Sequence, residues 1–80
     1  MTARVFVSMK PSVLDPQGQT IRAALQSMGH GMVRDVRQGK YFDIALQSED
    51  RAAAAAELDR ISRDILSNPV IEEYRVELLD

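Results

Sequence analysis

The sequence predicts one two-layer α+β domain with the element order β-α-β-β-α-β, and three observations carry that expectation. Short β-branched runs alternate apolar and polar positions near both ends of the chain and in its middle. Two stretches space apolar residues at helical intervals, each preceded by residues suited to capping a helix. Eighty residues with no linker, repeat or low-complexity tail make residues 1–80 a single domain.

The first strand is Arg4 to Met9, with Val5, Val7 and Met9 on one face and Phe6 and Ser8 on the other. Pro11 ends it, because proline has no amide hydrogen to give a ladder. Asp15-Pro16 opens the first helix as an N-cap followed by proline at the first helical position. Ile21, Ala24, Leu25 and Met28 then form one stripe, and Gly29 sits where a terminating glycine belongs. Gly18 weakens the first turn by about 1 kcal/mol relative to alanine, which suggests a close backbone approach there.

Val33 to Arg37 reads as a short or irregular second strand, since its two valines stand three apart and break the period of two. Gln38-Gly39 is the expected hairpin turn into a third strand, Tyr41 to Leu46, with Phe42, Ile44 and Leu46 inward. Ser48 is the expected cap of a second helix, with Glu49 and Asp50 favouring its positive end. Its apolar stripe is Ala54, Leu58, Ile61 and Ile65, while Glu57, Asp59, Arg60, Arg63 and Asp64 are mostly solvent-facing. Asn68-Pro69 stops it, and a last strand follows with Tyr74, Val76 and Leu78 at alternate positions. Both helices then cover one face of an antiparallel sheet, a ferredoxin-like arrangement whose open face and edges invite a second chain.

Composition narrows the function. Four aromatic residues and no tryptophan leave a core of small aliphatic side chains, which in a domain this size commonly needs oligomerisation as a supplement. There is no cysteine for a disulfide, and the single histidine, His30, cannot make a structural zinc site. A net charge of −2 argues against a nucleic-acid partner. No apolar run approaches the roughly 20 residues that span a bilayer, so the expected location is the cytoplasm and not a membrane.

Side chains that often carry chemistry have structural roles here. His30 lies in a glycine-flanked turn, Asp15 is explained by capping, and Ser8 and Ser12 have no adjacent base. Arg37 to Phe42 has some of the basic, glycine and aromatic character of an RNA-reading strand, but its pattern of exposed rings is incomplete. Catalytic, cofactor and metal residues are therefore expected to be absent.

Three segments together resemble the PurS family. They are Lys10-Pro11-Ser12-Val13-Leu14-Asp15-Pro16-Gln17-Gly18, Val36-Arg37-Gln38-Gly39-Lys40-Tyr41-Phe42 and Asn68-Pro69-Val70-Ile71-Glu72, with Tyr74 just beyond. With the matching hydrophobic frame, the resemblance covers essentially the whole chain; Ser12 departs from the glycine common in relatives. It implies a small subunit of phosphoribosylformylglycinamidine synthase, which bridges a large synthetase subunit and a glutaminase subunit and supports ammonia transfer. It implies that ATP, magnesium and glutamine are used by the whole complex and none is bound by this subunit. It also implies a homodimer, and leaves open whether dimers pair into tetramers. Carried onto this sequence, Lys10, Asp15, Gln17, Arg37, Lys40 and Asn68 become interface or loop-fixing residues, and Arg37 and Lys40 are set to meet carboxylates on the large subunit. The alternative of another class is an ACT-like domain binding a small molecule, with Gly18 the one glycine near its first helix.

Overall fold

Alternation along the first strand puts Ala3, Val5 and Val7 on one face, and all three are fully buried. They form the floor of the core, and the strand that carries them is central. In the computed structural model, which describes residues 1–79, the elements are β1 (Thr2–Met9), α1 (Pro16–Ser27), β2 (Gly39–Ala45), α2 (Arg51–Ile61) and β3 (Glu72–Leu78). The sheet order is β2-β1-β3, antiparallel throughout, with Val5 opposite both Phe42 and Val76.

Helix α2 closes this core through Ala54 and Leu58. Its cap is Asp50 rather than Ser48. The Asp50 carboxylate accepts from the amides of Ala52 and Ala53, each at 3.1 Å, while Ser48 Oγ accepts from the Asp50 amide at 3.2 Å. The helix widens into a π-turn at Ser62–Leu66. Ser62, four residues beyond Leu58, continues the buried face, whereas the extra residue turns Ile65, expected in the stripe, outward to 75% exposure. Charged residues on its outer side form exposed pairs, Glu57 with Arg60 and Arg63 with Asp59 and Asp64, each worth little in water.

A hydrogen bond from the Tyr74 hydroxyl to Asp59 Oδ1 at 2.6 Å ties β3 to α2. That bond, helped by partial burial and the Asp59 charge, raises the phenol above its ordinary value of 10.0. The folded value exceeds the unfolded one, so the stabilisation is complete below the unfolded value and lost as pH rises through the folded one. An absorbance titration of Tyr74→Phe is expected to lose a component that ionises late in the parent chain. Persistence of that component would contradict the assignment.

The α+β, ferredoxin-like class holds, with three strands joined in the chain. The expected second strand, 33–37, forms no ladder with the sheet. Asp35 Oδ1 accepts from the Val36 amide at 3.0 Å, a local bond that competes with pairing. The expected turn at Gln38-Gly39 is also absent. Gly29 is the only glycine with positive φ, and residues 33–38 run on into β2 without a bend.

As a result, α1 and residues 33–38 leave the sheet together as an arm. Gln26 Nε2 donates to the Val33 carbonyl at 3.0 Å, and Gly18 lies directly under the Val36 carbonyl. The side of α1 turned to its own chain is Gly18, Arg22 and Leu25. The apolar stripe is largely left outside, with Met28 74% exposed. The molecule is 48 Å long, and its radius of gyration of 16.0 Å exceeds the roughly 12 Å of a compact chain this size.

Candidate functional site

Strand ends bring the three motif segments to one end of the sheet, because Met9 pairs with Glu72 and Ser8 with Gly39. Backbone groups then join the loops. The Lys10 amide donates to the Ile71 carbonyl at 2.9 Å. Arg37 Nη2 donates to the carbonyls of Lys10, at 2.9 Å, and Val13, at 2.7 Å. Arg37 therefore fastens a loop through this nitrogen.

Asp15 is the centre of this cluster and is 4% exposed. One oxygen accepts from the Gly18 amide at 3.1 Å, capping α1, and the other from the Gln38 amide at 2.6 Å. Its carboxyl is held below the ordinary value of 3.8 chiefly by the Gln38 bond, then by the Gly18 bond, with Arg37 assisting and burial opposing. The folded value lies below the unfolded one. Ionised Asp15 therefore stabilises the fold above the unfolded value, and this contribution disappears as pH falls through the folded one. Asp15→Asn leaves one accepting oxygen for two amides and is expected to lower the melting temperature by about 10 °C at neutral pH, with the difference from the parent shrinking in acid. An equal difference at both pH values would contradict the role of the charge.

The remaining predicted residues divide in two. Asn68 fixes its own turn: its Oδ1 accepts from Val70, and its carbonyl from Ile71 and Glu72. Gln17 is exposed in the first turn of α1, and Lys40 is exposed with its ammonium 5.7 Å from the Phe42 ring centroid. Asp15, Gln17 and Lys40 line one shallow depression of about 250 Å³, with Ser8, Met9 and Glu72. The structure thus brings Lys10, Asp15, Gln17, Arg37 and Lys40 to one end of the sheet, with Asn68 in the adjoining loop.

The open sheet face was expected from the sequence, but the ring and guanidinium contacts that it carries were not. Phe6 and Tyr41 lie 6.0 Å apart, with Arg75 over Phe6 at 4.3 Å and Arg4 over Tyr41 at 4.5 Å. Arg4 also grips Asp43 through two bonds, at 2.7 and 3.2 Å. Gly39 and Ser8 floor a depression of about 500 Å³ beside these rings. The sequence signal was alternation on the outer face, legible once the register is known.

Among the described residues, no group of three or more His, Cys, Asp or Glu side chains is placed to hold a metal ion. No helix there is long and apolar enough to cross a membrane. Fold and loop cluster define a small ferredoxin-like protein whose buried carboxylate and Arg37 bind its own loops together.

Residues 2–80 match the family described as PurS: Phosphoribosylformylglycinamidine (FGAM) synthase. The chain is 43% identical to phosphoribosylformylglycinamidine synthase subunit PurS of Bacillus subtilis, over 94% of this chain and 88% of that one. It superposes on a crystal structure of B. subtilis PurS with a TM-score of 0.86 at 40% identity, covering 99% of this chain and 98% of the other. A chain in the structure of PurLQS from Thermotoga maritima gives 0.88 at 29% identity, covering 98% and 95%. The chain belongs to the PurS family of phosphoribosylformylglycinamidine synthase, an enzyme of purine biosynthesis.

Proposed function

We propose that this chain is the non-catalytic assembly subunit of phosphoribosylformylglycinamidine synthase, holding the synthetase and glutaminase subunits together and supporting ammonia transfer between them. The observation that carries the reading is the loop cluster. Three loops are locked to one another through backbone groups, which presents a fixed outer surface to a partner at little entropic cost. Asp15, Arg37 and Asn68 fix the loops, while Gln17, Lys40 and the Lys10 side chain meet the partner subunits. Membership in the family supports this, as does the likeness to a chain of the T. maritima PurLQS structure.

In this reading the subunit binds no cofactor, and ATP, magnesium and glutamine act on the other subunits. It works in the cytoplasm, without nucleic acid or membrane, as a homodimer. The exposed stripe on α1 supports the dimer, because a chain this small gains from covering it.

The test is glutamine-dependent amidine formation by the purified synthetase and glutaminase subunits, with and without this chain. Activity that requires the chain is the expected result. Equal activity without it would overturn the reading and move the ligand-binding alternative forward.

A further inference from the structure

The strand registers arrange the sheet face away from α2 in rows across three strands. Arg4 stands between Asp43 and Glu77, and Phe6 between Tyr41 and Arg75. In the next row Ser8 stands between Gly39 and Glu73. Two small residues therefore follow two rings, and the face steps down at that point. The depression of about 500 Å³ is this drop, with the Phe6 and Tyr41 row as one wall and Glu73 on β3 beside it.

The cations of this face are already engaged. Arg4 holds Asp43 at 2.7 Å and lies over Tyr41, while Arg75 stands 3.6 Å from Glu77 and lies over Phe6. Lys40, on the rim, sends its ammonium to Phe42 on the opposite face of the strand. Glu73 is exposed and forms no ion pair among the described residues. The recess thus combines a ring wall with one uncompensated carboxylate.

We infer that this recess receives an arginine side chain from the partner subunit that seats on the loop cluster. A planar guanidinium matches both features, since it stacks on rings and pairs with a carboxylate. A second copy of this chain fits badly, because a two-fold axis would set the surplus negative charge of the face against itself. The recess is also continuous with the motif loops: Ser8 and Gly39 line it and line the depression that holds Asp15 and Gln17. A partner covering the loops reaches Glu73 without a gap. The inference rests on the assembly role proposed above and adds a second contact to it.

Three variants test it: Glu73→Lys reverses the charge, Glu73→Gln removes it, and Ser8→Tyr fills the recess. Glu49→Lys, exposed ahead of α2, changes the net charge as Glu73→Lys does and is the control. Circular dichroism checks folding, and sedimentation of each chain alone gives its oligomeric state. The purified synthetase and glutaminase subunits are then titrated with each chain, and the half-saturating concentration for the joint particle is measured. Because Glu73 is exposed, its variants keep the test decisive whatever Ser8→Tyr does to folding.

Glu73→Lys is expected to raise that concentration by about 30-fold or more. Ser8→Tyr raises it as well, Glu73→Gln raises it less than Glu73→Lys, and Glu49→Lys leaves it unchanged. Assembly like the parent's by Glu73→Lys, or by a folded Ser8→Tyr, would overturn the recess as a contact and leave the assembly role standing. An equal loss in Glu49→Lys would show a general effect of charge and overturn it too. A changed oligomeric state of Ser8→Tyr alone would assign the face to a second copy. A parent chain that joins neither subunit would overturn both readings.

Discussion

Leu58→Ala is expected to remove about 2–5 kcal/mol of stability, much of what a domain of 80 residues holds. Leu58 is the largest fully buried side chain, on the face of α2 turned to the sheet. There are few others to take over: the core residues are Ala3, Val5, Val7 and Ala54, and the next helical turn offers Ser62. The other fully buried side chains are no larger than valine, so the loss should fall at the high end. Urea unfolding followed by far-ultraviolet circular dichroism measures it. A loss below about 1 kcal/mol would mean that α2 is not the lid of this core.

Gly18→Ala is expected to destabilise the chain by about 1–3 kcal/mol, although the same change in an ordinary helix stabilises by about 1 kcal/mol. The reversal comes from the site. An added Cβ would collide with the Val36 carbonyl and stand 2.7 Å from Asp15 Oδ2. Both belong to the latch between α1 and the return segment, so relief means pulling the arm apart. Gly31→Ala is the control, since nothing lies within 4 Å of its added Cβ. Thermal melts of both variants separate the cases. A stabilised Gly18→Ala chain would show that α1 and residues 33–38 are not joined as described.

What the sequence revealed was local. Asp15-Pro16 opens α1, Gly29 ends it with φ of 98°, and the first and last strands alternate as read. The tightness at Gly18 was also visible, because glycine in a helix's first turn needs a reason. The errors arise where distance in the fold decides. Gln38-Gly39 has turn composition, but Gly39 sits against the Val7 carbonyl in an extended strand. Ser48 and Asp50 both suit a cap, and the carboxylate that reaches two amides prevails. The π-turn that turns Ile65 outward has no sequence signature.

The site shows the same division. Asp15 was legible as a cap, but its bond to the Gln38 amide exists only because the fold carries residue 38 back beside residue 15. Arg37 was legible as a basic residue near the strand, whereas its carbonyl partners in the loop 10–13 were not. The stripe of α1 was read correctly as apolar. Periodicity tells that a face is suited to burial, and leaves open which chain buries it.

Sedimentation velocity on the synthetase and glutaminase subunits, with this chain present or withheld, tests the central claim most directly. The account predicts one particle containing all three when the chain is present, and separate particles when it is absent. Joint sedimentation of the two large subunits without it, or its failure to enter their particle, would contradict the account.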